Sequence, residues 1–265
     1  MGMKPHHYER ILITNDDGID APGIEALAEM AKEFAPEIWI IAPQHDESGT
    51  GQSLSLHHPL RVYPRGERHW AVAGTPADCV AIGASYIMKR HPPSLILSGI
   101  NAGSNTGDDV NLSGTLGAAF MGQMLGIPAI ALSLSCVRRA QAKWETARAI
   151  GPKILRHFIE TGWPENTCLS INIPDRPPEK ITGFSWARQG IRTTTHIHVD
   201  RRIDMRDQDY FWMTLHDQEP DAKGIFDHEI LHRGDVAVTA LSLDRSVGVN
   251  LPRVVFDAPR SAVNE

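Results

Sequence analysis

Apolar residues along the first two thirds of this chain follow two alternating rhythms. Ile11-Leu12-Ile13, Ile38 to Ala42, Leu95 to Leu97, Ala129 to Leu134 and Leu169 to Ile173 are short continuous runs, the signature of strands buried on both faces. Between them the apolar positions fall at helical spacing: Ile24, Leu27, Ala28, Ala31 and Phe34, then Leu116 to Leu125, then Ala140 to Ile159 with Ile150, Ile154, Leu155 and Phe158 as its apolar side. Turn chemistry supports these boundaries. Asp20 and Pro22 read as a cap and a first-turn proline, Pro36 stops that helix, and Thr75-Pro76-Ala77-Asp78 opens another, running toward Met88, with a capping-box pattern. Leu60 to Tyr63 and His69 to Ala73 add two candidate strands.

Strand, helix and strand from Ile11 to Ala42 form a βαβ unit, whose crossover is expected to be right-handed and parallel. Repeated alternation predicts an α/β, Rossmann-like fold with a mainly parallel open sheet flanked by helices. Past residue 175 polar and charged stretches alternate with aromatics and histidines through Trp212, and Val236 to Leu241 is a late strand. The expected organisation is therefore a core over 1–175 and an extension over 176–265 that rests on the core rather than folding alone.

Composition narrows the possible partners. At 265 residues the chain is long enough to bury a core without staples, and 42% hydrophobic content argues against global disorder. A net charge of −6 with mixed signs argues against a surface for nucleic-acid polymers or anionic membranes. No apolar run reaches membrane-helix length, the first ten residues lack a signal-peptide plan, and Cys79, Cys136 and Cys168 have no metal-ligand pairing, so a reduced cytoplasmic protein is expected.

Ligands of an open α/β sheet sit beyond the carboxyl ends of its strands. After the first strand comes Asn15-Asp16-Asp17-Gly18, after the second Asp46, Glu47 and Ser48, and after Leu97 the stretch Ser98 to Asn105. Adjacent carboxylates repel and are costly to bury without a cation, and oxygen-only donors suit Mg²⁺ or Mn²⁺. The plainer reading is that one aspartate serves a site while the other forms the turn or caps a helix. Between Gly99 and Gly126 lie seven glycines, and Ser113-Gly114-Thr115 precedes a helix whose free N–H groups suit a phosphate, or are simply capped by the serine. No Lys or Arg occurs in 11–31, 40–60 or 94–137, so these loops bring acids without bases. A bound phosphate would then need a metal ion and N–H dipoles, unless arginines arrive from the extension or another subunit.

Other chemistries fit less well. A Gly-x-Gly-x-x-Gly loop, a Walker A lysine and a Gly-x-Ser-x-Gly elbow are missing. The thirteen histidines lack a third spaced ligand for zinc. Asn15-Asp16-Asp17-Gly18 is superficially similar to the phosphoaspartate phosphatase motif, but Asn15 stands where the nucleophile belongs. A non-catalytic, Mg²⁺-dependent nucleotide-binding module is the third alternative, although the chain is much longer than a lone receiver and has no phosphoacceptor aspartate after Leu97.

The stretches Asn15 to Gly18 with Gly23, Pro43 to Gly49, Gly74 to Val80, Ser98 to Gly107 and Ser113 to Ala119 resemble, in this order, the SurE survival-protein family of metal-dependent 5'-nucleotidases. Ile171 to Pro174 and Gly234 to Leu243 look like the family's later landmarks. The resemblance implies hydrolysis of nucleoside 5'-monophosphates, with 3'-nucleotides and short polyphosphate as further substrates. It implies one divalent cation per subunit, Mg²⁺ or Mn²⁺, on Asp16, Asp17, Ser48 and Asn101. Asn105, Ser113, Gly114 and Thr115 would line the phosphate site, and Asp16 or Asp17 would accept the water proton. It further implies a cytoplasmic homodimer or homotetramer assembled through a β-rich C-terminal extension. Leu112, Met121 and Ala240 stand where the family usually has Tyr, often Glu and commonly Pro.

Overall fold

The computed structural model describes residues 7–191, 196–216 and 224–246. The first βαβ unit is β1 (Arg10–Thr14), α1 (Pro22–Ala31) and β2 (Glu37–Pro43). An antiparallel pair follows, β3 (Val62–Gly66) and β4 (His69–Val72), then α2 (Pro76–Ile82) and β5 (Leu95–Ala102). The core continues through α3 (Gly114–Met124), β6 (Ala129–Leu134), α4 (Trp144–Thr161) and β7 (Thr167–Ile173). Beyond it come β8 (Phe184–Trp186), the strands β9 (His196–Ile203) and β10 (Asp209–His216), α5 (Asp227–Arg233) and β11 (Val236–Ser242).

Nine strands make one sheet in the order β3-β4-β2-β1-β5-β6-β7-β11-β8. The run from β4 to β7 is entirely parallel, and β11 joins β7 antiparallel. Strand alternation splits the core by face. Ile11, Ile13, Leu95 and Leu97 pack with residues of α1 and α4, whereas Leu12 and Ile96 pack with residues of α2 and α3. The strand order reverses at β1, which pairs with β2 on one side and β5 on the other. Such a switch point opens a crevice beyond the strand ends, and it falls where Asp16 and Asp17 follow β1.

The expected core strands and helices are present, with differences at their ends. Ala21, not Asp20, is the N-cap of α1, and it has no side-chain cap; Pro22 is the first helical residue. Thr75 and Asp78 do make a reciprocal capping box, but α2 ends at Ile82 and widens into a π-turn over Gly83–Ile87. The helix expected from Ala140 starts at Trp144, after a short 3₁₀ turn over Arg139–Gln141. Strand β5 runs to Ala102, five residues into what reads as loop, with an irregularity in its pairing between Ser98 and Asn101. Strands β8 and β11 extend the core sheet, while β9 and β10 form a separate two-stranded sheet. All three cysteines are free thiols, and no described helix is long and apolar enough to cross a membrane.

Helix α1 packs against the β5 backbone through Gly23. A Cβ there would lie 1.9 Å from the Ile100 carbonyl oxygen, a backbone atom with little room to give. Gly23→Ala should lower stability by about 1–3 kcal/mol, read as a lower urea midpoint at unchanged slope.

Candidate active site

The turn after β1 is set by Asn15. Its side-chain amide donates to the Gly18 carbonyl at 2.7 Å, and Gly18 adopts φ +97, a conformation that suits glycine. Asn15 is thus committed to shaping the loop. The two acids that follow make separate contacts. Asp16, only 4% exposed, accepts a 2.6 Å hydrogen bond at Oδ1 from the Thr115 hydroxyl on α3. Asp17 accepts at Oδ2 from the Ala102 N–H at the end of β5, at 2.9 Å. Neither acid caps a helix.

The Asp16 side meets the N-terminus of α3. Ser113 is the N-cap, its Oγ accepting from the Leu116 N–H at 3.1 Å, so its hydroxyl already has a structural task. Gly114 allows the approach, since a Cβ there would fall 2.8 Å from the Asp16 Cβ. Asn105 reaches the same place from the loop after β5. Its Nδ2 donates to Ser133 Oγ at 2.9 Å and lies 3.5 Å from Thr115 Oγ1. Asn172 clamps the Asn105 backbone, accepting from its N–H at 2.8 Å and donating to its carbonyl at 3.1 Å. Two residues on, the Gly107 N–H donates at 3.0 Å to Asp227 of α5, which also accepts from the Gly190 N–H at 3.1 Å. The extension therefore anchors the loop that carries Asn105.

The Asp17 side holds a residue that the sequence reading left out. Arg139, from the loop after β6, places Nη1 3.0 Å from Asp17 Oδ1 and 2.6 Å from Asp46 Oδ2, and Nη2 2.7 Å from Ser48 Oγ. Ser48 in turn donates to Asp46 Oδ1 at 2.6 Å. The three spans do lack bases, but the expectation that an arginine would have to come from the extension or another subunit is corrected: another strand-end loop of the core supplies one. It lies just past the base-free span ending at Val137, and the strand-end rule applied to the loop after Leu134 would have found it. Asp46 was visible in its loop but is a partner that the predicted set omits. Asn101 is at the end of β5, where its Nδ2 donates to the Gly103 carbonyl at 2.9 Å.

The electrostatics call for a cation. Burial pushes the Asp16 carboxyl up to about 6, the neighbouring Asp17 adds to the rise, and the Thr115 hydrogen bond opposes it. Burial also raises Asp17, against the Ala102 N–H and Arg139. Asp46 is lowered, because Ser48 and Arg139 together outweigh its partial burial. The Arg139 contact with Asp17 Oδ1 is an ion pair without hydrogen-bond alignment, so that oxygen is buried with no hydrogen-bond partner. Among the described residues no three His, Cys, Asp or Glu side chains are arranged to hold a metal. An ion here would need hydroxyl or amide oxygens besides the carboxylates, which Ser48 and Asn101 can offer, and this hard, all-oxygen set fits Mg²⁺ or Mn²⁺.

The family model for the survival protein SurE matches residues 11–196. The chain belongs to the SurE family. The 5'-nucleotidase SurE 1 of Burkholderia lata is 42% identical over 247 residues, covering 93% of this chain and 95% of the relative. The 5'-nucleotidase SurE of Nitrobacter winogradskyi is 44% identical over 242 residues, 89% of this chain and 94% of the relative. The crystal structure of the SurE protein from Aquifex aeolicus superposes with a TM-score of 0.77 at 36% identity, covering 89% of this chain and 94% of that one.

Leu112 and Met121, where the resemblance implies Tyr and Glu as the family's usual residues, have different surroundings. Leu112 is 45% exposed, and its carbonyl accepts from the Gly51 N–H, so its backbone ties the loop after β2 to the start of α3. Met121 is buried in the apolar cluster between the sheet, α2 and α3. Asp16→Asn keeps an acceptor for Thr115 while removing the buried charge. In chelator at pH 7 it should raise stability by about 1–2 kcal/mol, measured by urea denaturation.

Proposed function

We propose that this SurE protein is a metal-dependent phosphomonoesterase that hydrolyses nucleoside 5'-monophosphates to nucleoside and phosphate. Family membership and curated relatives named 5'-nucleotidase at 42–44% identity over most of the chain support the activity. The observation that carries the site is the adjacent pair Asp16 and Asp17 at the sheet's switch point, with the buried Asp16 against an α3 N-terminus that Gly114 allows to approach. In this reading Asp16, Asp17, Ser48 and Asn101 hold one Mg²⁺ or Mn²⁺ ion. When bound, the ion supplies Lewis-acid polarisation of a phosphoryl oxygen and lowers the pKa of a water molecule. The carboxylate pair accepts the proton of the attacking water. Asn105, braced by Ser133 and Asn172, and the Ser113 hydroxyl, whose hydrogen stays free while its oxygen accepts from Leu116, present donors to phosphoryl oxygens beside the N–H groups of Gly114 and Thr115, while the Thr115 hydroxyl is spent on Asp16. Ser113 also fixes the first turn of α3.

Phosphate release from AMP or GMP with Mn²⁺ or Mg²⁺ tests this. Chelation should abolish turnover, and Asp17→Asn should lower kcat/KM by about 100-fold or more while leaving the fold intact. Activity that survives both treatments would overturn the reading.

The same proposal includes a homodimer or homotetramer assembled through the extension, in the cytoplasm. The support is the β9–β10 hairpin. Its paired residues Val199 and Met213, with Ile197 and Phe211 beside them, are 51–74% exposed on one face. An isolated two-stranded ribbon is marginal in water, and an apolar face of this kind calls for a cover. Replacing Phe211 and Met213 together by Asp should reduce the mass measured by light scattering, with the core's thermal transition preserved.

A further inference from the structure

Arg139 has no role in the reading above, which rests on carboxylates, amides, hydroxyls and a metal ion. Its side chain is 51% exposed, yet its guanidinium reaches into the acid cluster and touches three groups. Two contacts are short and aligned, Nη1 to Asp46 Oδ2 at 2.6 Å and Nη2 to Ser48 Oγ at 2.7 Å. The third, to Asp17 Oδ1 at 3.0 Å, is a charge contact without hydrogen-bond alignment. The arginine is therefore tethered at the rim by Asp46 and only leans on Asp17. A hard cation on Asp17 and Ser48 would compete for the same oxygen atoms and displace the guanidinium from them, leaving it on Asp46.

Charge balance says where the released N–H groups should go. Asp16, Asp17 and Asp46 are offset in part by Arg139, and a divalent ion brings the cluster to formal neutrality. A phosphomonoester dianion then arrives at a neutral site with Arg139 present and at an anionic one without it. A guanidinium fork is suited to two oxygens of one phosphate. Arg139 also lines a cavity of about 440 Å³ shared with Asp17, Gln44, His45 and Trp144, so it is open to an incoming ligand.

We propose that Arg139 is a phosphate-binding residue of this enzyme: it leaves Asp17 and Ser48 when the divalent ion binds and, held by Asp46, takes the phosphoryl oxygens of the substrate. This rests on the metal-dependent phosphatase reading, and the test separates the two. Arg139→Gln removes an exposed side chain from a surface loop, and an unchanged thermal transition in chelator would show that the fold survives. Calorimetry with Mn²⁺ alone should show about three- to tenfold tighter binding in Arg139→Gln than in the unaltered protein, because a competing cation is gone. Calorimetry of inorganic phosphate in saturating Mn²⁺ should show about 10- to 100-fold weaker binding, the worth of a charge-assisted contact. KM for AMP should rise similarly, and Arg139→Lys should recover part of the phosphate affinity. Phosphate affinity within about twofold of the unaltered protein would overturn the proposal, as would Mn²⁺ binding that is unchanged. If the unaltered protein binds both ions but releases no phosphate from nucleotides, the phosphatase reading fails while these two affinities still decide the role of Arg139.

Discussion

Two carboxylates on consecutive residues are placed where a parallel sheet reverses its strand order, and one of them is almost entirely out of water. Asp16 sits 4% exposed beneath the first turn of α3, where burial raises its carboxyl to about 6. A buried, uncompensated charge of this kind opposes folding. The surroundings are organised to contain that cost. Thr115 donates to Asp16, the Ala102 N–H donates to Asp17, Asn15 holds the turn that splits them, and Arg139 leans in from a third loop. The apolar framework makes these placements firm. Gly23 lets α1 rest on β5, and Gly114 lets α3 rest on Asp16.

The core was legible because both of its determinants are local. A strand buried on both faces must be continuously apolar, and a helix covering it must be apolar on one side. Ile11 to Ile13 and Ile150 to Phe158 show these patterns in single stretches. The carboxyl edge was legible by the same logic: its loops contain Asp16, Asp17, Ser48 and Asn105, and Asn101 lies at the end of β5. Less visible was how far each strand runs. Strand β5 continues through Ser98-Gly99-Ile100-Asn101, because its pairing with β6 resumes after the irregularity, although the composition reads as loop. The early end of α2 was not visible either: the chain widens into a π-turn from Gly83, a residue packed where a Cβ would meet Leu12 and Ile41.

Contacts across long sequence separations were the least visible. Arg139 is 122 residues from Asp17 (139 − 17), and its place in the loop after β6 marks it as a candidate for the carboxyl edge without naming Asp17 as its partner. The extension was legible in composition but not in structure. The charged run Asp200 to Arg202 on β9 and the aromatic run Tyr210 to Trp212 on β10 fall across both faces of an exposed ribbon, so no buried face imposes a clear period. By contrast β11 carries Val236, Ala237 and Val238 between β7 and β8, and its apolar run was readable.

The extension also reaches into the chemistry through the backbone rather than through a side chain at the site. Asp227 begins α5 at 1% exposure and receives the N–H groups of Gly107 and Gly190, while Gln189 donates to the Gly107 carbonyl at 3.0 Å. Gly107 closes the loop that carries Asn105, and Asn172 holds the other end of that loop from β7. Asn105 is thus positioned between a core strand and a segment some 120 residues later. A loop so glycine-rich would lose much conformational entropy on ordering. The polar clamps from both sides limit its alternatives, so the docked extension contributes to order in the loop of Asn105. The position of Asn105 then depends on Asn172, Gly107 and Asp227, and the C-terminal segment is part of what shapes the candidate site.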